Sequence, residues 1–271
     1  MKAIDSESWA SPPENIAVKC VILAAGIASR LRPLTDDIPK CLIPVGKKTL
    51  LQRTVENVRS AGIREIAVVV GYKVDAVRMF LKNAALPVRL RLIVNRKFES
   101  TNNSFSLLLA RDFYLDDKIK GRPRKSLLLM DGDVLFSPNL LQQLLAAGES
   151  SRFAVRFSGN HDDEEVLAEV DDGNAIRKIG KGIVARGKFG ESIGIHLLAP
   201  DAAEAMFKIL ERRIRKEGGR KEFYESTFQE MIDGGTVIQA VDMSELPVIE
   251  VDTPEDLAVA ENEIAPQIDS R

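Results

Sequence analysis

A largely apolar run rich in valine and isoleucine, residues 17–26, ends in Ala24-Ala25-Gly26 and passes at once into a basic loop that carries proline. Such a run, without polar alternation, predicts a strand buried on both faces, the habit of parallel strands covered by helices. Its closing glycine predicts a turn at the carboxyl edge of the sheet, where open α/β folds bind ligands. Helical spacing follows from Thr49, where Thr49 and Gln52 match a capping box, to Gly62, a natural C-terminal glycine. Residues 66–71 and 88–95 read as further strands, and 74–83 and 104–113 as helices. A short strand, 126–130, runs into Asp131-Gly132-Asp133, and Ser137-Pro138 opens the next helix with an N-cap serine and a proline at the first helical position. This alternation predicts an α/β fold with a mostly parallel sheet flanked by helices.

After Arg152 the pattern shifts. Residues 166–170 and 175–179 flank the turn Asp171-Asp172-Gly173-Asn174 and predict a hairpin, with another strand at 192–198. Helices are expected at about 201–216 and 222–233, then a strand near Val237, and residues 248–251 lead into Thr253-Pro254-Glu255-Asp256, a well-capped final helix. The expected organisation is a loose tail, 1–15, and one domain, 16–265. Within it a nucleotide-binding half (16–150) precedes an acceptor-binding portion of hairpin and helices (151–246) and a final strand and helix (247–265).

Composition narrows the partners. A formal charge of −2 gives no electrostatic reason to expect nucleic acid, so an anionic ligand must be held by a local cluster of cations. No apolar run approaches the ~18 residues of a membrane span. The tail, with Asp5, Glu7, Glu14 and Pro12-Pro13, lacks the apolar stretch of a signal peptide. Cys20 and Cys41 have no metal-ligand spacing and read as reduced core thiols, which fits a cytoplasmic protein. Oligomeric state is left open, with a homodimer among the expectations.

Two stretches carry chemistry. In the loop after Gly26, Arg30 and Lys40 supply fixed positive charge suited to a triphosphate, while glycine lets the backbone approach a phosphate closely. Familiar phosphate signatures fail here: a P-loop ending at Gly46-Lys47-Lys48-Thr49 needs glycine where Cys41 stands, and a dinucleotide fingerprint needs glycines at Ala28 and Leu31. The second stretch is Asp131-Gly132-Asp133, with Asp252 at the end of a later strand. Carboxylates at strand ends suit magnesium, which takes one or two of them with phosphate oxygens and water, although Asp at a strand–helix junction also serves as a helix cap. Asp131-Gly132-Asp133 is equally an Asp-x-Asp motif of glycosyltransferases, but the loop from Arg30 to Lys40 argues against that alternative.

These residues resemble a known family, the nucleotidyltransferases of the nucleotide-diphospho-sugar transferase fold, which is Rossmann-like. The hallmark G-x-G-x-R-L-x-P-x-T-x-x-x-P-K runs here from Gly26 to Lys40, with Ala28 in place of the second glycine. Matches continue at Val70-Gly71-Tyr72, at Asp131 to Val134, at Ser192-Ile193-Gly194-Ile195 and at Glu250 to Leu257. Asn95 followed by Thr101-Asn102-Asn103 and Ser106-Leu107 resembles the cytidylyltransferase branch acting on choline phosphate, inositol phosphate and aminoalkylphosphonates.

The resemblance implies transfer of CMP from CTP to a small phosphorylated or phosphonate acceptor, with Mg²⁺ as cofactor and pyrophosphate released. Sugar 1-phosphates with UTP or dTTP, or a nucleotide-binding regulatory role, are the alternatives. It implies that Leu23, Ala25, Gly26, Gly71 and Asn103 lie along the nucleotide, that Arg30 and Lys40 act on its phosphates, and that Asp133 and Asp252 bind the metal. For the acceptor, Lys178 or Lys181 would meet the phosphate and Tyr224-Glu225 would face a cationic head group, since aromatic rings and carboxylates attract such groups. His161 and His196 have no partner at catalytic spacing and read as structural.

Overall fold

A computed structural model describes residues 17–84, 89–119, 121–148, 150–157, 165–216 and 218–270; the tail at 1–15 and His161 lie outside the described residues. The first half runs β1 (Val18–Ala24), β2 (Pro44–Val45), β3 (Lys48–Thr49), α1 (Leu50–Ser60), β4 (Glu65–Val70), α2 (Val74–Asn83) and β5 (Arg89–Val94). It continues through α3 (Asn103–Leu109), α4 (Arg111–Ile119), β6 (Ser126–Asp131), β7 (Val134–Phe136), α5 (Pro138–Ala146) and β8 (Ser151–Arg156). The second half holds β9 (Val166–Val170), β10 (Ile176–Lys181), β11 (Lys188–Leu198), α6 (Pro200–Ile214), α7 (Glu225–Asp233), β12 (Ile238–Asp242), β13 (Val248–Glu250) and α8 (Pro254–Val259). A π-helical turn, Ala260–Ile264, joins α8 to α9 (Ala265–Asp269).

The main sheet has the order β10-β9-β11-β6-β1-β4-β5, with β8 paired to β11 and β12 to β8. Its centre is parallel: β1 lies between β4 and β6, and β4 pairs β5. β11 runs antiparallel to β6, β8 and β9, so the sheet is mixed, as expected. Strand alternation explains why β1 and its neighbours are apolar throughout. Val21, Leu23, Ala67, Val69, Leu127 and Leu129 face a core completed by α3, α6 and α7, whereas Cys20, Ile22, Ile66, Val68, Leu128 and Met130 face one completed by α1 and α5. Both cysteines are free and buried in the second core; burial pushes the Cys20 thiol up and the Cys41 thiol up to about 12, which keeps both protonated and inert.

Several local expectations need correction. Residues 104–113 do not form one helix, because the chain breaks at Ala110 into α3 and α4. The buried Lys19 of β1 holds α4 in its own direction, donating to the carbonyls of Phe113 (2.9 Å) and Tyr114 (3.3 Å) and pairing with Asp117 at 3.0 Å. Ser137 precedes α5 as foreseen but makes no side-chain cap bond. Only half of the capping box of α1 forms: Thr49 accepts from the Gln52 amide at 3.1 Å, while the Gln52 side chain turns to Glu56. β2, β3 and β7 carry no periodicity of their own, and β7 exists through its antiparallel pairing with β13.

Thr49→Ala should therefore lower stability by about 1 kcal/mol, a shift of roughly 2–4 °C in Tm, whereas Gln52→Ala should leave the cap intact. Thermal unfolding of the two variants checks the difference.

Candidate active site

The parallel strands β1, β4, β5 and β6 end along one edge, and a cleft of about 280 Å³ opens there. Leu23, Ala25, Gly26 and Arg30 line it from the first loop, Asn103 from the start of α3, Asp131 and Asp133 from the end of β6, and Glu250 and Asp252 from the end of β13. Lys181, Tyr224 and Glu225 close the far side. Ten of the thirteen side chains and backbone positions named from the sequence thus meet in one cleft: Leu23, Ala25, Gly26, Arg30, Asn103, Asp133, Lys181, Tyr224, Glu225 and Asp252. Lys40 lies just behind the wall, bonded to both candidate metal carboxylates.

Gly71 stands apart. It is not among the lining residues; a Cβ added there would sit 2.5 Å from Cβ of Phe98 and 2.9 Å from the Ala25 carbonyl, so this glycine lets β4 pass close to the first loop. The loop itself keeps its bend without the second glycine, because Ala28 adopts φ 52 and ψ 53 and its carbonyl accepts from the Thr35 hydroxyl at 2.9 Å. Tyr72 Oη clamps the same loop through the Thr35 carbonyl, also at 2.9 Å.

Four charged groups form a continuous chain. Arg30 Nη2 donates to Asp252 Oδ2 at 2.7 Å, and Lys40 Nζ donates to Asp133 Oδ2 at 2.8 Å and to Asp252 Oδ1. Burial alone would lower the Lys40 ammonium, but Asp133 and Asp252 outweigh it and push it up to about 12. Against the same burial, Lys40 and Arg30 hold the Asp252 carboxyl below the ordinary carboxylate range. The backbone is fixed as firmly: Val251 N donates to the Asp133 carbonyl (3.1 Å), and Asp256 accepts from the amides of Asp252 (3.0 Å) and Thr253 (2.7 Å) in the capping box of α8.

On the far side, Lys181 faces the cleft with its ammonium 5.4 Å from the Phe223 ring centroid, while Lys178 pairs with Glu169 at 3.4 Å on the hairpin. Tyr224 is fully buried rather than helix surface. Its hydroxyl donates to Asp131 Oδ2 at 2.6 Å and lies 3.3 Å from His196 Nε2, and its ring packs edge-on to Phe228. Its amide donates to Asn103 Oδ1 at 2.9 Å, so one tyrosine joins the start of α3 to Asp131 at the end of β6. His196 packs against Phe153, and burial pulls its imidazole down to about 3, which keeps it neutral as a structural residue. Gly194 is required beside it: φ is 65°, and an added Cβ would meet Asp131 Oδ2 at 2.7 Å.

Sequence reasoning passed over Glu250, Ser192 and Phe223, all in the lining. Glu250 ends β13 two residues before Asp252 in a stretch already singled out, so that spacing was the available signal. Burial first, then the neighbouring Asp133 and Asp131, raises its carboxyl, and burial with Asp133 and Glu225 raises Asp131. Asn95 has a scaffolding part: its side-chain amide donates to Thr101 Oγ1 (3.1 Å) and Ser106 Oγ (3.0 Å), which knits the segment that carries Asn103.

This sheet, with a charged cleft at the carboxyl ends of its parallel strands, has the fold of solved nucleotidyltransferases. It is similar to the CTP:phosphocholine cytidylyltransferase of Streptococcus pneumoniae, with a TM-score of 0.71 and 22% identity, covering 90% of this chain and 97% of that one. Against the inositol-1-phosphate CTP transferase of T. maritima the TM-score is also 0.71, at 19% identity over 92% of this chain and 98% of that one. The chain belongs to the nucleotidyl transferase family, whose model matches residues 19–168. It is 30% identical to the CMP-5'-(3-aminopropyl)phosphonate synthase of Streptomyces rubellomurinus over 94% of its own length and 40% of that protein. It is 31% identical to the CTP:phosphoglutamine cytidylyltransferase of Campylobacter jejuni over 55% of its own length and 61% of the relative. The chain therefore spans between 40% and 61% of the length of these two relatives.

Glu225 yields a test of this geometry. Burial, against a backbone hydrogen bond and the Lys181 charge, pushes its carboxyl up to about 7 from an ordinary 4.5. The folded protein binds the proton more tightly, so this contribution to stability is complete below pH 4.5 and is lost as pH rises through about 7. Glu225→Gln should gain stability relative to the unaltered protein as pH rises across that window, by at most about 3 kcal/mol. Denaturant unfolding at pH 5 and pH 8 measures the gain.

Proposed function

We propose that the protein transfers CMP from CTP to a small acceptor bearing a phosphate or phosphonate group and releases pyrophosphate. The observation that carries this conclusion is the convergence of Arg30, Lys40, Asp133 and Asp252, from three distant parts of the chain, at the mouth of one cleft. CTP is favoured because the relatives named above are a CMP-phosphonate synthase and a cytidylyltransferase. Leu23, Ala25 and Gly26 would lie along the nucleotide on one side and Asn103 on the other.

An oxygen of the acceptor phosphate attacks the α-phosphorus. A new P–O bond forms as the bond from the α-phosphorus to the α–β bridging oxygen breaks, and pyrophosphate leaves with that electron pair. The nucleophile is already an anion, so no general base is needed; alignment and charge neutralisation carry the step. Arg30 would neutralise the departing pyrophosphate and Lys40 would align the reacting phosphates. Asp133 and Asp252 fit a magnesium ion: both are hard oxygen donors, both are aimed at the Lys40 ammonium, and two carboxylates are a usual protein share of a magnesium site. When bound, the ion would offset charge on the phosphate oxygens.

Lys181 would take the acceptor phosphate. The cationic head group, if the acceptor has one, would face Glu225 beside Phe223, since Tyr224 is committed to Asp131 and Asn103. A second hollow of about 530 Å³ shares Lys181, Phe223 and Glu225 with the cleft and gives the acceptor end room to extend. A cytoplasmic setting agrees with the two reduced thiols.

Pyrophosphate release should require Mg²⁺, CTP and one member of a panel of choline phosphate, aminoalkylphosphonate, inositol phosphate and sugar 1-phosphates. Release with UTP or dTTP and a sugar phosphate would replace this assignment by the sugar-nucleotide one. Arg30→Ala and Asp133→Ala should each cost at least about 100-fold in turnover, and normal turnover in either would defeat the mechanism. Arg30→Ala, at a half-exposed position, should keep its Tm, whereas Asp133→Ala takes one of two partners from the little-exposed Lys40 and should lower it while leaving the protein folded.

A further inference from the structure

The two carboxylates proposed to hold magnesium are already engaged by cations of the protein itself. Lys40 Nζ donates to Asp133 Oδ2 at 2.8 Å and to Asp252 Oδ1, and Arg30 Nη2 donates to Asp252 Oδ2 at 2.7 Å. Both oxygens of Asp252 and one of Asp133 are thereby bonded. The Lys40 side chain is 12% exposed and sits where the two carboxylates converge, so solvent screens it little. A magnesium ion draws its carboxylate oxygens to about 2.0–2.1 Å. An ion held at that convergence by Asp133 Oδ2 and Asp252 Oδ1, the oxygens that meet Lys40, takes the place of the ammonium, because two positive centres that close repel.

We infer that Arg30, Lys40, Asp133 and Asp252 form a mutually neutralising set that excludes divalent metal from the nucleotide-free protein, so that metal and nucleotide load together. The exchange is one of partners. Polyphosphate oxygens give Lys40 and Arg30 new anions, and the released carboxylates take the metal. Each ligand thereby favours the other, and linkage makes the effect reciprocal. The same two cations that assist the reaction would oppose metal binding in its absence, so their removal should have opposite effects on turnover and on metal affinity. The inference rests on Asp133 and Asp252 being the metal ligands.

The test is Mn²⁺ binding to the full chain without nucleotide, followed by the electron paramagnetic resonance signal of the free ion. The unaltered protein should bind weakly. Lys40→Met should bind about tenfold tighter or more, the scale of losing hydrogen bonds to a charged group, and adding Asp252→Asn to it should abolish the gain. Arg30→Gln, at a half-exposed position that cannot threaten the fold, should show a smaller gain. Tight, Asp252-dependent Mn²⁺ binding by the unaltered protein would overturn the inference and leave the metal assignment standing. Unchanged affinity in both variants would also overturn it, and a gain that survives Asp252→Asn would overturn it together with Asp252 as a metal ligand. Failure of the underlying assignment has its own signature, which is pyrophosphate release by the unaltered protein in the absence of any divalent ion.

Discussion

One lysine side chain holds the working edge of this protein together. Lys40 bonds to Asp133, 93 residues away, and to Asp252, 212 residues away, and so ties the loop after β1 to the turn after β6 and the segment after β13. An ammonium so little exposed is tolerated only because two carboxylates compensate its lost hydration. The carboxylates depend on it in turn, which makes the three segments a single electrostatic unit. Around it the backbone is braced by the Val251–Asp133 hydrogen bond and by the capping box of α8.

Three other acids of the cleft are less well compensated. Asp131, Glu225 and Glu250 all titrate above the ordinary carboxylate range, with burial as the leading cause. Tyr224 donates its hydroxyl to Asp131 and its backbone amide to Asn103 Oδ1, so it braces the cleft from its far wall. The braced backbone fixes where these charged side chains begin, as a reaction carried by positioning and neutralisation would need.

Much of this was legible along the chain. Strands β1, β4 and β6 announce themselves by unbroken apolar runs because both of their faces are covered, and α8 by Thr253, Pro254 and Asp256 at cap spacing. The motif from Gly26 to Lys40 pointed to phosphate chemistry, and the strand ends located Asp133 and Asp252. Less was visible where partners are remote. β7 has no periodic signature in three residues and owes its form to β13, while the break between α3 and α4 accompanies the contacts of a buried lysine on β1. Gly71 looked like a nucleotide contact within Val70-Gly71-Tyr72, but the space it leaves is used by Phe98.

By itself the sequence determined the alternation of strand and helix, the edge at which a ligand would bind and the residue types available there, because periodicity, caps and turn residues act within a few positions of one another. The tertiary structure alone decided which charges meet. That Lys40 sits between Asp133 and Asp252, that Lys181 rather than Lys178 faces the cleft, and that Tyr224 is a buried strut between Asn103 and Asp131 depend on distances between segments far apart in the chain. Electrostatic and hydrogen-bond energies act over a few ångströms of space, and only the packed sheet brings these groups that close.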